Sequence, residues 1–157
     1  MKKIFAILFL SSALFGDVYF TFAGYSKHFE DKWKLTLTNR ETGERKVSYH
    51  KYNETHNPIG ISFDINKDYY FSVTSYKNSY SWNSTSIIFS KKYKLDKGFI
   101  ASLNAGIVNG YEYEGKQENF DPIVYPSIYK NFGIFNIELS GTHQFVFIQF
   151  RVRVFNY

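Results

Sequence analysis

Three short groups in this sequence combine a hydroxyl, an imidazole and hydrogen-bonding neighbours: Ser26-Lys27-His28-Phe29, Tyr52-Asn53-Glu54-Thr55-His56-Asn57-Pro58 and Tyr76-Lys77-Asn78-Ser79-Tyr80. A serine hydroxyl attacks an acyl carbon only when a base takes its proton and a third group orients that base. Ser79 is the candidate nucleophile, or a hydroxyl donor to an ester carbonyl, and His28 the candidate base. Asn78 is the candidate orienter or oxyanion donor, because an amide can donate to developing negative charge. Glu54 is a candidate carboxylate, and Tyr76 and Tyr80 flank the serine as candidate substrate contacts. Each group also has a plain reading. A histidine at a strand end is ordinarily a rim residue, Asn-Ser is ordinary turn composition, and loop polarity accounts for Tyr52-Asn53-Glu54. His50 and His56 lie six apart with no third ligand at metal spacing, so neither a metal site nor a cofactor is expected.

The elements that must position these groups are strands. Beyond residue 16 the chain divides into segments of about ten residues with period-two alternation and turn signals between them, the pattern of a closed antiparallel barrel. Eight segments are predicted: Asp17 to Phe29, Ile59 to Ile65, Tyr69 to Lys77, Ser84 to Tyr93, Phe99 to Asn109, Ile123 to Lys130, Ile134 to Ser140 and Gln144 to Phe155. In the first, Tyr19, Thr21, Ala23 and Tyr25 are assigned to one face, with Phe20, Phe22 and Gly24 on the other. In the last, Val146, Ile148, Phe150, Val152 and Val154 oppose Gln149, Arg151 and Arg153. The polar stretch at about 30–52 is expected as an extra hairpin or loop outside the lipid zone.

The fold class expected is therefore all-β, an eight-stranded antiparallel up-and-down transmembrane barrel. Links at 66–68, 94–98 and 131–133 are short, whereas those at 30–58, 78–83, 110–122 and 140–143 are longer. In outer-membrane barrels short turns face the periplasm, which sets the Asn78-Ser79 corner, His28 and Glu54 on the external rim. A soluble lipocalin-like carrier would instead turn the apolar face inward. Interior arginines at 151 and 153 argue for the membrane barrel.

Met1-Lys2-Lys3, the apolar run Ile4 to Leu10 and the small residues up to Gly16 have the three regions of a secretory signal peptide, so residues 1–16 are expected to be cleaved and 17–157 to form the barrel. The absence of cysteine excludes a disulfide framework, a lipoprotein anchor and thiol chemistry. Aromatic residues make up 21% of the chain, an excess that suits strands and bilayer interfaces. The formal charge is +5, and losing Lys2 and Lys3 with the leader leaves +3, too little and too scattered for a nucleic-acid partner.

Taken in order, these pieces resemble the lipid A palmitoyltransferase (PagP) family of outer-membrane enzymes and related PagP-like barrels. The likeness runs from about Tyr25 to Thr142. It rests on Ser26-Lys27-His28-Phe29, on Tyr52-Asn53-Glu54 followed by Pro58-Ile59-Gly60, on Tyr76-Lys77-Asn78-Ser79-Tyr80, on Ala105-Gly106-Ile107-Val108 and on Pro122-Ile123-Val124-Tyr125-Pro126-Ser127. The resemblance implies a barrel in the bacterial outer membrane whose upper interior holds one acyl chain. It also implies a rim histidine, aspartate and serine that move an acyl group from a glycerophospholipid to lipid A. His28 matches the family histidine and Ser79 the serine, while Asn78 stands at the aspartate position. Pro58 and Pro126 would mark gaps in strand pairing where a lipid tail enters sideways. The partners implied are membrane phospholipid, lipid A and the outer-membrane assembly machinery, with the barrel a monomer. The alternative is a non-enzymatic PagP-like barrel that binds lipid or has a structural role.

Overall fold

The computed structural model describes residues 16–39, 41–110 and 120–155. All but the last residue of the expected leader, and the tip of the loop over 111–119, lie outside the described residues. The strands are β1 (Val18–His28), β2 (Lys32–Thr38), β3 (Arg45–Lys51), β4 (Ile59–Asp64), β5 (Tyr69–Lys77), β6 (Asn83–Lys94), β7 (Phe99–Val108), β8 (Asp121–Phe132), β9 (Phe135–Gly141) and β10 (Phe145–Phe155). Eight of them close into one barrel in the order β1-β10-β9-β8-β7-β6-β5-β4, and β2 and β3 form a separate hairpin. Every pairing is antiparallel, including the closure of β1 onto β4 through Val18–Phe63 to Thr21–Gly60.

Alternation assigns each strand residue to lipid or lumen. Phe20, Phe89, Leu103, Val124, Ile128 and Leu139 are exposed on the outside, whereas Ser62, Ser90, Asn104, Asn136, Glu138 and Arg151 are buried inside. An apolar exterior around a polar interior is the reverse of a lipocalin, and the soluble-carrier reading falls on that ground. At the short-turn end exposed Phe99 and Phe132 carry the Lys130 ammonium at 4.7 and 5.6 Å from their ring centroids. A lysine lying over rim aromatics keeps its stem in the apolar zone and its charge at the water interface.

The short-turn half of the lumen is filled by a charged plug. Arg151 forms a 2.7 Å ion pair with Glu138 and donates through Nε to Asn136 at 2.8 Å. Its guanidinium lies 5.7, 5.4 and 5.2 Å from the rings of Tyr19, Tyr70 and Tyr129. Tyr70 donates its hydroxyl to Asn104 at 3.0 Å, and Asn104 donates to the Ser127 hydroxyl at 3.1 Å, so the network crosses the lumen from β5 to β8. Lys92–Asp64 at 2.9 Å and Arg153–Asp17 at 3.0 Å extend it toward the turns.

The two-face assignment expected for the first strand holds from Tyr19 to Phe22 and is reversed for Ala23, Gly24 and Tyr25. The β1–β10 register shifts between Thr21 and Ala23, which pair with Arg151 and Phe150, leaving Phe22 as the extra residue of a bulge. A bulge inverts the facing of everything beyond it. Tyr19 and Thr21 point inward before it, and Gly24, Ser26 and His28 after it. Tyr25 therefore faces outward, opposite in sense to Tyr19.

Candidate functional site

The long-loop half of the barrel is organised by Asn53 to His56, a segment outside the ten strands that continues the line of the short strand β4. On one side the Ser26 amide donates to the Glu54 carbonyl at 2.8 Å and the His56 amide to the Gly24 carbonyl at 3.2 Å, around a lone Tyr25–Thr55 bridge. On the other side the Lys77 amide donates to the His56 carbonyl at 3.0 Å and the Asn53 amide to the Ser79 carbonyl at 2.7 Å. The segment thus closes the wall between β1 and β5 above the point where β4 stops. Asn57, at φ 43°, makes the step into Pro58. The proline ring fills the interruption against Gly24, where an added Cβ would sit 3.2 Å from Pro58 Cγ.

Glu54 fastens this segment from outside the barrel. Its carboxylate accepts from Tyr25 Oη at 2.6 Å and from Lys27 Nζ at 2.8 Å. Those two bonds, Lys27 first, hold its carboxyl below the usual glutamate value. Glu54 is thereby committed to two β1 side chains on the outer face.

Asn78 is completely buried, and its amide makes four hydrogen bonds that shape the 78–82 corner. Oδ1 accepts from the amides of Tyr80 and Trp82 at 2.9 and 3.0 Å. Nδ2 donates to Ser84 Oγ at 3.0 Å and to the Gly110 carbonyl at 2.8 Å. An asparagine has two donors and one two-lone-pair acceptor, so this amide is fully occupied. The corner in turn presents Ser79 to the lumen.

His28 ends β1 under an aromatic roof. Its ring stacks on Tyr52 with centroids 3.9 Å apart and planes 5° from parallel, and it meets Phe145 at 5.2 Å. Tyr52 reaches Tyr80 at 5.8 Å, and Trp33 of the β2–β3 hairpin packs edge-on against Tyr80 at 4.7 Å. His28 and Ser79 are therefore brought to one rim, linked through Tyr52 and Tyr80. Among the described residues His28 Nδ1 is buried without a hydrogen-bond partner.

A second histidine, His56, does hold a serine. Its Nε2 lies 2.7 Å from Ser26 Oγ and its Nδ1 lies 2.7 Å from the Lys77 carbonyl oxygen. A carbonyl only accepts, so Nδ1 carries the proton and Nε2 of the neutral ring is the lone pair that receives the Ser26 hydroxyl. Burial pushes the His56 imidazole below its ordinary value and so favours the neutral ring; the Lys77 carbonyl, which favours the protonated ring, opposes that shift only in part.

Ser26, His56 and Ser79 line a single cavity in the upper lumen of about 70 Å³. Its remaining wall is largely apolar, with Ile88, Val108, Ile123, Phe145 and Phe147, together with Tyr76 and Tyr125. By the volume one water needs, it has room for roughly five water- or methylene-sized groups. Beside it the barrel wall is stepped. β8 pairs with β7 from Asp121 to Lys130 but with β9 only from Ser127 onward, since β9 ends at Gly141. The stretch from Asp121 to Pro126 therefore lacks a ladder partner on the β9 side, and Pro122 and Pro126 bring no N–H to it. Tyr125 crosses toward β10 there, meeting Phe147 edge-on at 5.4 Å.

Ser26–His56 escaped the sequence reading, which took Ser26 only as a neighbour of His28 and weighed His56 only as a metal ligand. The pair is 30 residues apart and has no spacing signature. The available signal was the run Phe20-Thr21-Phe22-Ala23-Gly24, where large outward residues give way abruptly to small ones, as at a bulge.

No family model matches the chain, and no curated protein does. A solved structure reported as "De novo design of transmembrane beta-barrels" is similar at a TM-score of 0.53 and 14% identity, covering 88% of this chain and 96% of that one. At that identity the likeness speaks to the fold alone. Together with the apolar exterior and closed strand order, it establishes a transmembrane-barrel-like fold of eight antiparallel strands.

Proposed function

We propose that this barrel is a PagP-like outer-membrane acyltransferase, moving an acyl chain from a glycerophospholipid to lipid A or another outer-leaflet lipid. The observation that carries the reading is the division of the lumen. A largely apolar cavity carries serine and histidine groups in its wall, and the charged plug around Arg151 and Glu138 fills the barrel beneath it. A barrel that served only as a membrane-spanning scaffold has no need to keep a largely apolar cavity in the upper half of its lumen. The cavity takes the first few methylenes of a chain, and the wall step at β8 offers the remainder a lateral path into lipid.

The rim supplies the polar end. Three lysines, Lys27, Lys32 and Lys51, and three carboxylates, Glu30, Asp31 and Glu54, line a basin beside Tyr52, a mixed-charge lining that suits a zwitterionic phospholipid headgroup held at the interface while its tail is buried. His28, Ser79 and Asn78 are the positions the family likeness marks, with Glu54, Tyr76 and Tyr80 as substrate contacts around them. The non-enzymatic lipid-binding reading draws its support from Asn78, whose amide is spent on the corner, and from the stacking of His28 on Tyr52.

Mass spectrometry of lipid A and phospholipids from cells in which the barrel is verified to be inserted distinguishes the two. The acyltransferase predicts an added acyl chain on an acceptor lipid and a matching lysophospholipid, absent from cells without the gene. Unchanged lipids in the presence of inserted wild-type protein would leave only the binding role.

A further inference from the structure

We infer that Ser26 and His56 are the nucleophile and base of this barrel, with the Lys77 carbonyl orienting the base. The inference rests on the acyl-transfer reading for its lipid substrate, but the pair itself is a matter of geometry. Three features separate it from an ordinary buried hydrogen bond. The 2.7 Å bond from His56 Nδ1 to Lys77 leaves the ring one tautomer, the one able to accept a serine proton. The His56 backbone is held from both sides, its amide donating to Gly24 and its carbonyl accepting from Lys77, so the ring springs from a fixed point in the wall. Both side chains line the apolar cavity, so the hydroxyl, though shielded from bulk water, adjoins the space an acyl chain would fill. Nucleophile, base and orienter are the parts of a serine acyl-transfer site, here with a backbone carbonyl where a carboxylate often stands.

The chemistry balances without a cofactor. The Ser26 proton passes to His56 Nε2 as Oγ bonds to the ester carbonyl carbon of the donor lipid. The tetrahedral intermediate collapses, the carbon–oxygen bond to the glycerol breaks, and the leaving oxygen takes the proton from Nε2. The acyl group then stands as an ester on Ser26. An acceptor hydroxyl, or water, gives its proton to Nε2 and attacks the same carbonyl, and Ser26 leaves and regains the proton. Ser79, in the same cavity wall, is a hydroxyl that can donate to the carbonyl oxygen during both steps.

An alkyl fluorophosphonate, which forms a stable ester only with an activated serine, tests this on the folded wild-type barrel in detergent micelles. Intact mass and peptide mapping read the site, and lysophospholipid release from phosphatidylethanolamine is measured in the same preparation. The expected result is one adduct, on Ser26. It should form about 10²–10⁴-fold more slowly in His56→Gln, the usual weight of a general base. Wild-type labelling does not depend on any variant folding, and heat-modifiable gel mobility checks the variants. An adduct on Ser79 or no adduct overturns the pair, as does full lipid activity in folded Ser26→Ala, while acyl transfer itself stands if lysophospholipid is made. An adduct on Ser26 without any lysophospholipid upholds the pair and sinks the lipid substrate.

Discussion

Glu138→Leu is expected to destabilise the barrel by about 3–5 kcal/mol, read as a lower urea midpoint of the refolded protein in micelles. Both members of the Arg151–Glu138 pair are nearly inaccessible, at 6% and 3% side-chain exposure, so neither charge can turn to water when its partner is lost. The variant leaves Arg151 with Asn136 and three tyrosine faces but no counter-charge, and removes the acceptor of the Ser140 hydroxyl. Adding Arg151→Met should recover most of the loss, because a buried pair replaced by apolar groups of similar size is commonly neutral or stabilising. A double variant as unstable as the single one would show that the plug matters through shape and hydrogen bonding rather than through charge pairing.

Asn78→Asp is expected to weaken the corner, although the family likeness puts an aspartate at that position. The Asn78 Nδ2 atom donates to the Gly110 carbonyl at 2.8 Å, and a carboxylate oxygen there would face another acceptor. Ser84 can reverse its hydroxyl to donate, but Gly110 has no proton to give from that atom. The cost is about 1–3 kcal/mol, that of a buried acceptor left unsatisfied. The same urea titration reads it, and hydrogen exchange should show faster opening at the Tyr80 and Trp82 amides. A more stable Asn78→Asp barrel would mean that the corner is built to hold a carboxylate and that the four bonds of the amide are incidental.

Strand positions were legible because their turn signals are strong. Asn66-Lys67-Asp68 and Asn131-Phe132-Gly133 bracket β4, β5, β8 and β9 closely, and the apolar face of β10 over Val146 to Val154 opposes a polar face ending in Arg151 and Arg153. The inside-out ambiguity of period-two alternation yields only to the closed barrel, where Arg151 is buried and Phe20 is not. The bulge at Phe22 was illegible as a position because one extra residue leaves composition unchanged while flipping every side chain after it. The Asn53–His56 segment was read as loop, since its ladder bonds exist only because β4 is short and leaves an edge to fill. Ser26 and His56 meet as a product of both events. Asn78 and Ser79 were singled out as a chemical pair, yet the amide builds the turn and the hydroxyl faces the cavity.

In the proposed function the upper lumen receives an ester-linked acyl chain next to an activated serine. The most direct test incubates the refolded wild-type barrel with phosphatidylethanolamine carrying isotopically labelled acyl chains and follows the lipids by mass spectrometry. Lysophospholipid should form, with the labelled chain recovered on the protein, as free fatty acid or on an added acceptor lipid. Intact phospholipid after prolonged incubation with folded protein, with no labelled chain displaced, would contradict the proposed function.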